Sequence, residues 1–178
     1  GPADAAGNYT RPSSDPLTPP ALNPADLLQR SAGQRPMLVI GRSCPWAHRT
    51  WLVHQLRQLQ DSVVLLMATA DHNAGRWALN PAWEGCDTLL ALYRHCGAPP
   101  SYRATVPVLV DPKTRTLLGN DSAPLVELLN RWPHNDAVLD LAPPESAERI
   151  QTWLQLLQSA VNDGVYRCGF ARNQAAYD

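Results

Sequence analysis

The sequence lacks an excess of either charge, because 15 lysines and arginines stand against 16 aspartates and glutamates in 178 residues. This balance argues against a nucleic acid or an anionic membrane held by bulk electrostatics. The chain also lacks an apolar run of the roughly 18–20 residues that a membrane helix needs. Its first residues show no basic segment followed by an apolar stretch, as a secretory signal would. These absences predict a cytoplasmic protein that binds neither nucleic acid nor membrane.

No C-x-x-C pair occurs among the four cysteines, which lie at positions 44, 86, 96 and 168. Disulfide frameworks are typical of small secreted chains, and structural zinc sites usually show paired ligands a few residues apart. Only His95 and Cys96 come near such a spacing. The sequence therefore predicts no metal site and favours reduced thiols, with one of them reactive.

Apolar periodicity in the middle of the chain predicts alternating strands and helices. The predicted elements are, in chain order, a strand at 36–40, a helix from Pro45, a strand at 63–67, a structured loop at 70–85, a helix at 87–95, strands at 105–110 and 116–118, and a helix at 120–130. This order predicts an α/β fold, namely a thioredoxin-like domain.

The prolines and the remaining apolar pattern divide the chain into four predicted segments. These are an extended or disordered leader over 1–33, the thioredoxin-like domain over 34–131, a linker over 132–145, and the start of a helical domain over 146–178. An apolar stripe predicts an amphipathic helix over 146–161, which Asn162-Asp-Gly164 is expected to break.

The clearest chemical motif is Gly41-Arg-Ser-Cys-Pro-Trp-Ala-His-Arg-Thr50, at the junction of the first strand and the first helix. Pro45 suits the first helical turn, so Cys44 lies at the helix N-terminus, where unpaired backbone N–H groups favour the thiolate. A dithiol oxidoreductase would need a second cysteine where this chain has Ala47. Cys44 is therefore predicted to act without a second cysteine of this chain and to use the thiol of another molecule. The alternative is that Cys44 is only a small buried apolar residue at the end of a strand.

Two further motifs follow along the chain. Pro107 interrupts a predicted strand, which indicates either an edge strand or a cis peptide bond. Beside a reactive cysteine, the backbone of Val106 would offer its N–H and C=O to a peptide-like thiol. Asp121 and Ser122 begin a predicted helix, where capping residues are common and where backbone N–H groups also bind carboxylates.

Together these motifs resemble the glutathione transferase superfamily, in particular its cysteine-type members and most closely the xi class, the glutathionyl-hydroquinone reductases. The residues that carry the resemblance are Cys44-Pro-Trp-Ala-His-Arg-Thr50, Thr105-Val-Pro-Val-Leu109, Asn120-Asp-Ser122 and Asn162-Asp-Gly-Val-Tyr-Arg-Cys-Gly-Phe-Ala171 with Gln174 and Tyr177. They span roughly residues 36–178. The resemblance implies glutathione as co-substrate, an aromatic small molecule as the second substrate, and a homodimer if the helical domain is complete.

The resemblance also assigns roles by position. Cys44 matches the nucleophile, and Val106 with Pro107 matches the segment that pairs with the cysteinyl part of glutathione. Asp121 and Ser122 match the acid–serine pair that holds the γ-glutamyl group, although the family has glutamate where this chain has the shorter Asp121. Trp77 and Arg103 match an aromatic residue and a cation that lie beside glutathione in the family. Tyr166 matches a tyrosine of the acceptor pocket.

The resemblance implies removal of glutathione from glutathionyl-hydroquinones through a mixed disulfide on Cys44. Two alternatives stay open: a general thiol transferase or dehydroascorbate reductase, and a non-catalytic glutathione-transferase-like binding module. The family's helical domain is longer than the segment 146–178. We therefore expect that the chain is a piece of a longer protein, that a partner covers its apolar helix face, or that activity has been lost.

Overall fold

The computed structural model describes residues 2–10, 17, 23–133 and 139–178, and the chain divides into two compact units. One unit runs from Asp15 to Leu141, and the other combines Gly1–Ser14 with Ala142–Asp178. The predicted leader over 1–33 and the predicted linker over 132–145 lie partly outside the described residues. No helix in the described part of the chain is long and apolar enough to cross a membrane.

The larger unit is built on a sheet of six strands in the order β4-β3-β2-β1-β5-β6. The strands are β1 Met37–Gly41, β2 Val64–Asp71, β3 Arg76–Trp83, β4 Cys86–Thr88, β5 Val108–Asp111 and β6 Thr116–Gly119. β1 and β2 are parallel, and the other neighbours are antiparallel. The central strands β1 and β5 are buried along their whole length, which explains why their sequences are continuous apolar runs.

Helices flank the sheet in the larger unit and make up most of the smaller one. They are α1 Pro24–Leu28, α2 Pro45–Leu56, α3 Leu89–His95, α4 Ser122–Asn130, α5 Ala147–Leu157, α6 Asp163–Phe170 and α7 Gln174–Tyr177. α2 packs against α4, and α3 packs against β3 and β4. The strand–helix order confirms the predicted thioredoxin-like α/β fold.

The prediction of a loop over 70–85 is wrong, because residues 76–83 form strand β3. β3 pairs with β2 as far as Leu79, so Pro81, which has no N–H to donate, lies beyond that ladder. On its other side the register with β4 shifts between Ala78 and Trp83. A polar, proline-containing sequence that is typical of a loop therefore forms a strand near the edge of the sheet.

In the smaller unit, the helix predicted to end at Val161 instead continues through a π-helical turn over Gln158–Asn162 into α6. The side-chain amide of Gln158 donates to both carboxylate oxygens of Asp163 at 3.0 Å, across this turn. Asn162-Asp-Gly164 therefore lies within helical backbone despite the weak helix propensity of these residues, and the Gln158–Asp163 contact bridges this stretch. Tyr9 from the N-terminal segment stacks on Tyr166 and Phe170 of α6.

Candidate active site

Cys44 is the N-cap residue of α2, and its φ and ψ of −101° and 112° are extended rather than helical. Its backbone N–H donates to the carbonyl of Gly41 at 3.0 Å, and its carbonyl accepts from His48 N at 2.9 Å. The side chain is half-buried. Pro45 occupies the first helical position, where its missing N–H costs nothing. The thiol is therefore held at the N-terminal end of a helix, as the sequence predicts.

The Cys44 thiol faces the Val106 segment, since Sγ lies 3.5 Å from the Val106 carbonyl oxygen and donates to it. The Val106–Pro107 peptide bond is cis, so of the two sequence interpretations of Pro107 the cis bond is confirmed. The preceding loop is fixed by Tyr93, whose hydroxyl donates to the Thr105 carbonyl at 2.8 Å. Burial raises the pKa of Tyr93, so its phenol keeps the proton for this bond.

The start of α4 is joined to α2 by a side-chain contact. Asp121 is the exposed N-cap of α4, and its Oδ1 accepts from Ala123 N at 3.1 Å. Ser122 is buried, with 4% of its surface exposed. Its Oγ accepts from Arg49 Nε at 2.9 Å and from Arg49 Nη2 at 2.6 Å. Arg49 therefore links α2, which Cys44 caps, to α4, which begins with Ser122.

Trp77 of β3 lies against the end of β1. Its six-membered ring fills the space that a Cβ on Gly41 would occupy. Because the carbonyl of Gly41 also accepts from Cys44 N, this glycine places the indole next to the loop that carries the cysteine. The structure therefore brings Trp77 to the neighbourhood of Cys44.

Two predicted site residues lie on other segments of the chain. Arg103 is exposed on the loop between α3 and β5, three residues before Val106. Tyr166 belongs to the smaller unit, in α6, where it stacks on Tyr9 and Phe170.

The other cysteines differ from Cys44 in their surroundings. Burial raises the pKa of the Cys86 thiol, and the nearby Glu84 and Asp87 add to this effect. Burial also raises the pKa of Cys96, to about 11. Cys168 is exposed on α6 in the smaller unit. Thiols whose pKa is raised stay protonated near neutral pH and react slowly.

Sequence reasoning missed the roles of Arg49, Gly41 and Tyr93 in holding this site. Only the packing of α2 on α4 directs Arg49 to Ser122. The one signal in the sequence for the close packing of Trp77 was Gly41, a glycine at the end of a buried strand.

Comparison with known proteins identifies relatives of this chain. Residues 43–132 match the family described as "Glutathione S-transferase, N-terminal domain". The chain is 33% identical over 153 residues to glutathionyl-hydroquinone reductase YqjG of Escherichia coli K12, covering 79% of this chain and 46% of that protein. It is 31% identical over 152 residues to glutathionyl-hydroquinone reductase PcpF of Sphingobium chlorophenolicum, covering 79% of this chain and 48% of that protein.

Solved structures give the same relationship. The xi glutathione S-transferase of Phanerochaete chrysosporium superposes with a TM-score of 0.81 at 27% identity, covering 99% of this chain and 60% of that one. The glutathione-bound structure of E. coli YqjG superposes with a TM-score of 0.70 at 30% identity, covering 81% and 50%. The chain thus spans about half the length of the curated relatives it matches.

Proposed function

Because the chain belongs to the glutathione S-transferase family, we propose that it is a glutathione-dependent reductase in which Cys44 is the only nucleophile. Its substrates are glutathionyl-hydroquinones or related aromatic conjugates of glutathione. The names of the relatives YqjG and PcpF support this substrate class. We further propose that it acts in the cytoplasm, where glutathione is kept reduced, and that the homodimer implied by the resemblance forms.

The position of Cys44 is the observation that carries the proposal. Its Sγ lies at a helix N-terminus, where backbone N–H groups favour a negative charge, and 3.5 Å from the carbonyl of Val106. Val106 precedes the cis-proline, and its polar backbone atoms suit a peptide thiol that lies as an additional strand. Ala47 is buried one turn further along α2, so the second thiol has to come from another molecule.

The proposed reaction has two steps of thiol exchange. In the first, the Cys44 thiolate attacks the sulfur of the conjugate, so that a sulfur–sulfur bond forms and the bond between sulfur and the aromatic carbon breaks. The aromatic group keeps that electron pair, takes a proton from water and leaves as free hydroquinone. It is reduced by two electrons while the two sulfur atoms are oxidised to the mixed disulfide.

In the second step, the thiolate of a second glutathione attacks the glutathione sulfur of that mixed disulfide. The disulfide between the two glutathiones forms, and Cys44 leaves as its thiolate. Atoms and electrons balance: per hydroquinone released, one conjugate and one free glutathione are consumed and one glutathione disulfide is formed.

We assign the recognition of glutathione to residues around Cys44. Val106 and Pro107 take the cysteinyl part, Asp121 and Ser122 take the γ-glutamyl end, and Trp77 and Arg103 contribute an aromatic face and a positive charge. Ser122 is buried at the start of α4. This position supports its role in binding the γ-glutamyl end, since a helix N-terminus favours a carboxylate. Tyr166 is proposed to donate a hydrogen bond to the oxygen of the aromatic substrate.

Turnover of a glutathionyl-hydroquinone by Cys44→Ser and by Cys168→Ser tests the proposal. We expect Cys44→Ser to lose at least about 1,000-fold in kcat, because a hydroxyl is not ionised at neutral pH and cannot replace the thiolate. Liquid chromatography of the released hydroquinone measures the rate. Disulfide-exchange and dehydroascorbate substrates are assayed in parallel. Their turnover distinguishes a general thiol transferase or dehydroascorbate reductase from a glutathionyl-hydroquinone reductase.

Cys168→Ser is the matched control, because it removes an exposed thiol from the other unit. It should retain the activity of the unmodified chain. Equal turnover by the Cys44→Ser variant would contradict the proposal, and binding of glutathione without any turnover would favour a non-catalytic module.

A further inference from the structure

Arg49 makes a contact that the proposed mechanism does not use. Both Nε and Nη2 of its guanidinium donate to a single atom, the Oγ of Ser122, at 2.9 and 2.6 Å. The guanidinium also lies over the indole of Trp46, with Cζ 5.1 Å from the ring centroid. Stacking on one side and a forked pair of bonds on the other fix the orientation of the Arg49 side chain.

This contact determines what the Ser122 hydroxyl can do. A serine hydroxyl has one proton and two acceptor lone pairs. Because Oγ already accepts from two N–H groups of Arg49, the hydroxyl is left to act toward a third group as a donor. Donation from an oxygen that itself accepts from a cation is strengthened, because hydrogen bonds in a chain polarise one another.

The position of Ser122 makes a carboxylate the matching acceptor. Ser122 is the first residue of α4, where backbone N–H groups and the helix dipole favour negative charge. Pro124 has no N–H and Asp121 already accepts from Ala123 N, so the first turn has few donors of its own. The Ser122 hydroxyl, backed by a positive charge, supplies one of them.

We propose that Arg49 is a positioning residue, which sets the Ser122 hydroxyl as a hydrogen-bond donor to the amino-acid carboxylate of glutathione. This inference rests on the proposed function, in which the γ-glutamyl group lies at the start of α4. Because Arg49 and Cys44 belong to one helix and its cap, the same rigid element then orients the nucleophile and the group that recognises the far end of the substrate.

Calorimetric titration in a Cys44→Ser background separates binding from chemistry and tests this role. Glutathione is compared with cysteinylglycine, which has the same thiol but lacks the γ-glutamyl group. In the full chain with Arg49→Met, we expect the Kd for glutathione to rise by about 10-fold or more. The Kd for cysteinylglycine should change by less than about 2-fold, because that ligand does not reach Ser122.

Two further variants complete the test. Arg49→Lys keeps the charge but replaces the fork with a single ammonium, so we expect a smaller loss, and it serves if Arg49→Met does not fold. Ser122→Ala in the Arg49→Met background should add little, because both changes act on the same hydrogen bond from Ser122. Arg131→Met is the matched control, an exposed arginine at the far end of α4, and should leave both dissociation constants unchanged.

The outcomes are distinct. Equal loss of both ligands in Arg49→Met, or no loss of either, would overturn the role of Arg49 while leaving the proposed function in place. If the Cys44→Ser chain binds glutathione no more tightly than cysteinylglycine, the γ-glutamyl assignment itself fails and the proposed function with it. A loss confined to glutathione supports the proposal, since a purely structural arginine would not discriminate between the two ligands.

Discussion

Cys44 and Val106 are separated by 62 positions in the sequence, and the thiol of one still reaches the carbonyl of the other at 3.5 Å. Each is held locally: Cys44 by the cap of α2, and the loop before Val106 by the hydroxyl of Tyr93. The site therefore depends on hydrogen bonds at the ends of elements, made by the backbone of Cys44 and by the buried side chain of Tyr93. This is the form expected of a preorganised reactive group.

At the residue scale, the sequence predicted Cys44 at a helix N-terminus and an irregular backbone at Val106–Pro107, because both signals are local. A proline directly after a cysteine, and a proline within a strand, restrict the backbone whatever surrounds them. The contacts of Arg49 with Ser122 and of Trp77 with Gly41 depend instead on how elements pack. Periodicity does not determine that packing, so these contacts required the structure.

Gly41→Ala should disturb the site through Trp77. The added Cβ would overlap the six-membered ring of Trp77, and overpacking of this kind typically costs about 1–3 kcal/mol. We expect urea denaturation to show a fall of that size in the free energy of unfolding. The Kd for glutathione should rise as well, because the indole moves.

Gly33→Ala is the matched control, because an added Cβ there meets nothing within 4 Å. It should leave stability and binding nearly unchanged. Replacing Trp77 by leucine in the Gly41→Ala chain should recover part of the lost stability. Full stability of Gly41→Ala alone would show that Trp77 does not lie against Gly41.

At the element scale, α2 combines three functions along twelve residues. Its N-terminus carries Cys44, its middle carries Arg49, and its last turn carries the buried His54. Apolar runs predicted the central strands, which are buried along their whole length, and apolar spacing predicted α2, although the buried residues of α2 include the polar Thr50 and His54. Sequence periodicity missed β3, whose polar residues and proline are typical of loops, and the continuation into α6, where local breakers are overridden by context.

His54 anchors the C-terminal turn of α2 to the segment before β2. Its Nε2–H donates to the Val63 carbonyl at 2.7 Å, and Nδ1 then accepts from the side-chain amide of Gln55 at 3.0 Å. Burial lowers the pKa of His54, although the bond to Val63 opposes this shift. The folded chain therefore holds this imidazole neutral at a pH where the unfolded chain protonates it.

His54 should make the protein less stable in mild acid. Below the usual histidine pKa of about 6.5 the unfolded state binds one more proton than the folded state, so stability falls as pH falls. From pH 7.5 to 5.5 we expect this group to cost up to about 1.4 kcal/mol of unfolding free energy. Urea denaturation at the two pH values measures the change.

The comparison needs one variant and one control. His54→Gln should be less stable at pH 7.5 but should lose less between pH 7.5 and pH 5.5. His48→Gln, which changes an exposed histidine on the same helix, should keep the full dependence. An unchanged pH dependence in His54→Gln would show that His54 does not titrate as described.

At the scale of the whole molecule, the proposed chemistry lies in the unit of Asp15–Leu141, and the proposed acceptor residue Tyr166 lies in the other. That second unit joins the N-terminal segment to the last helices, through the bond from Arg172 N to the Gly7 carbonyl and the stack of Tyr9 on Tyr166. The sequence did not predict this association, because nothing periodic marks residues 2–10. The exposed apolar side chains of α5, among them Trp153 and Leu154, are a further feature of this unit.

If Cys44 alone carries glutathione during turnover, a single-turnover mass measurement will find the adduct there. The full chain is mixed with a glutathionyl-hydroquinone in the absence of free glutathione, quenched with acid and digested. We expect one glutathione adduct per chain, located on the peptide that contains Cys44, together with one equivalent of free hydroquinone. Hydroquinone release without an adduct, or an adduct located on Cys168, would contradict it.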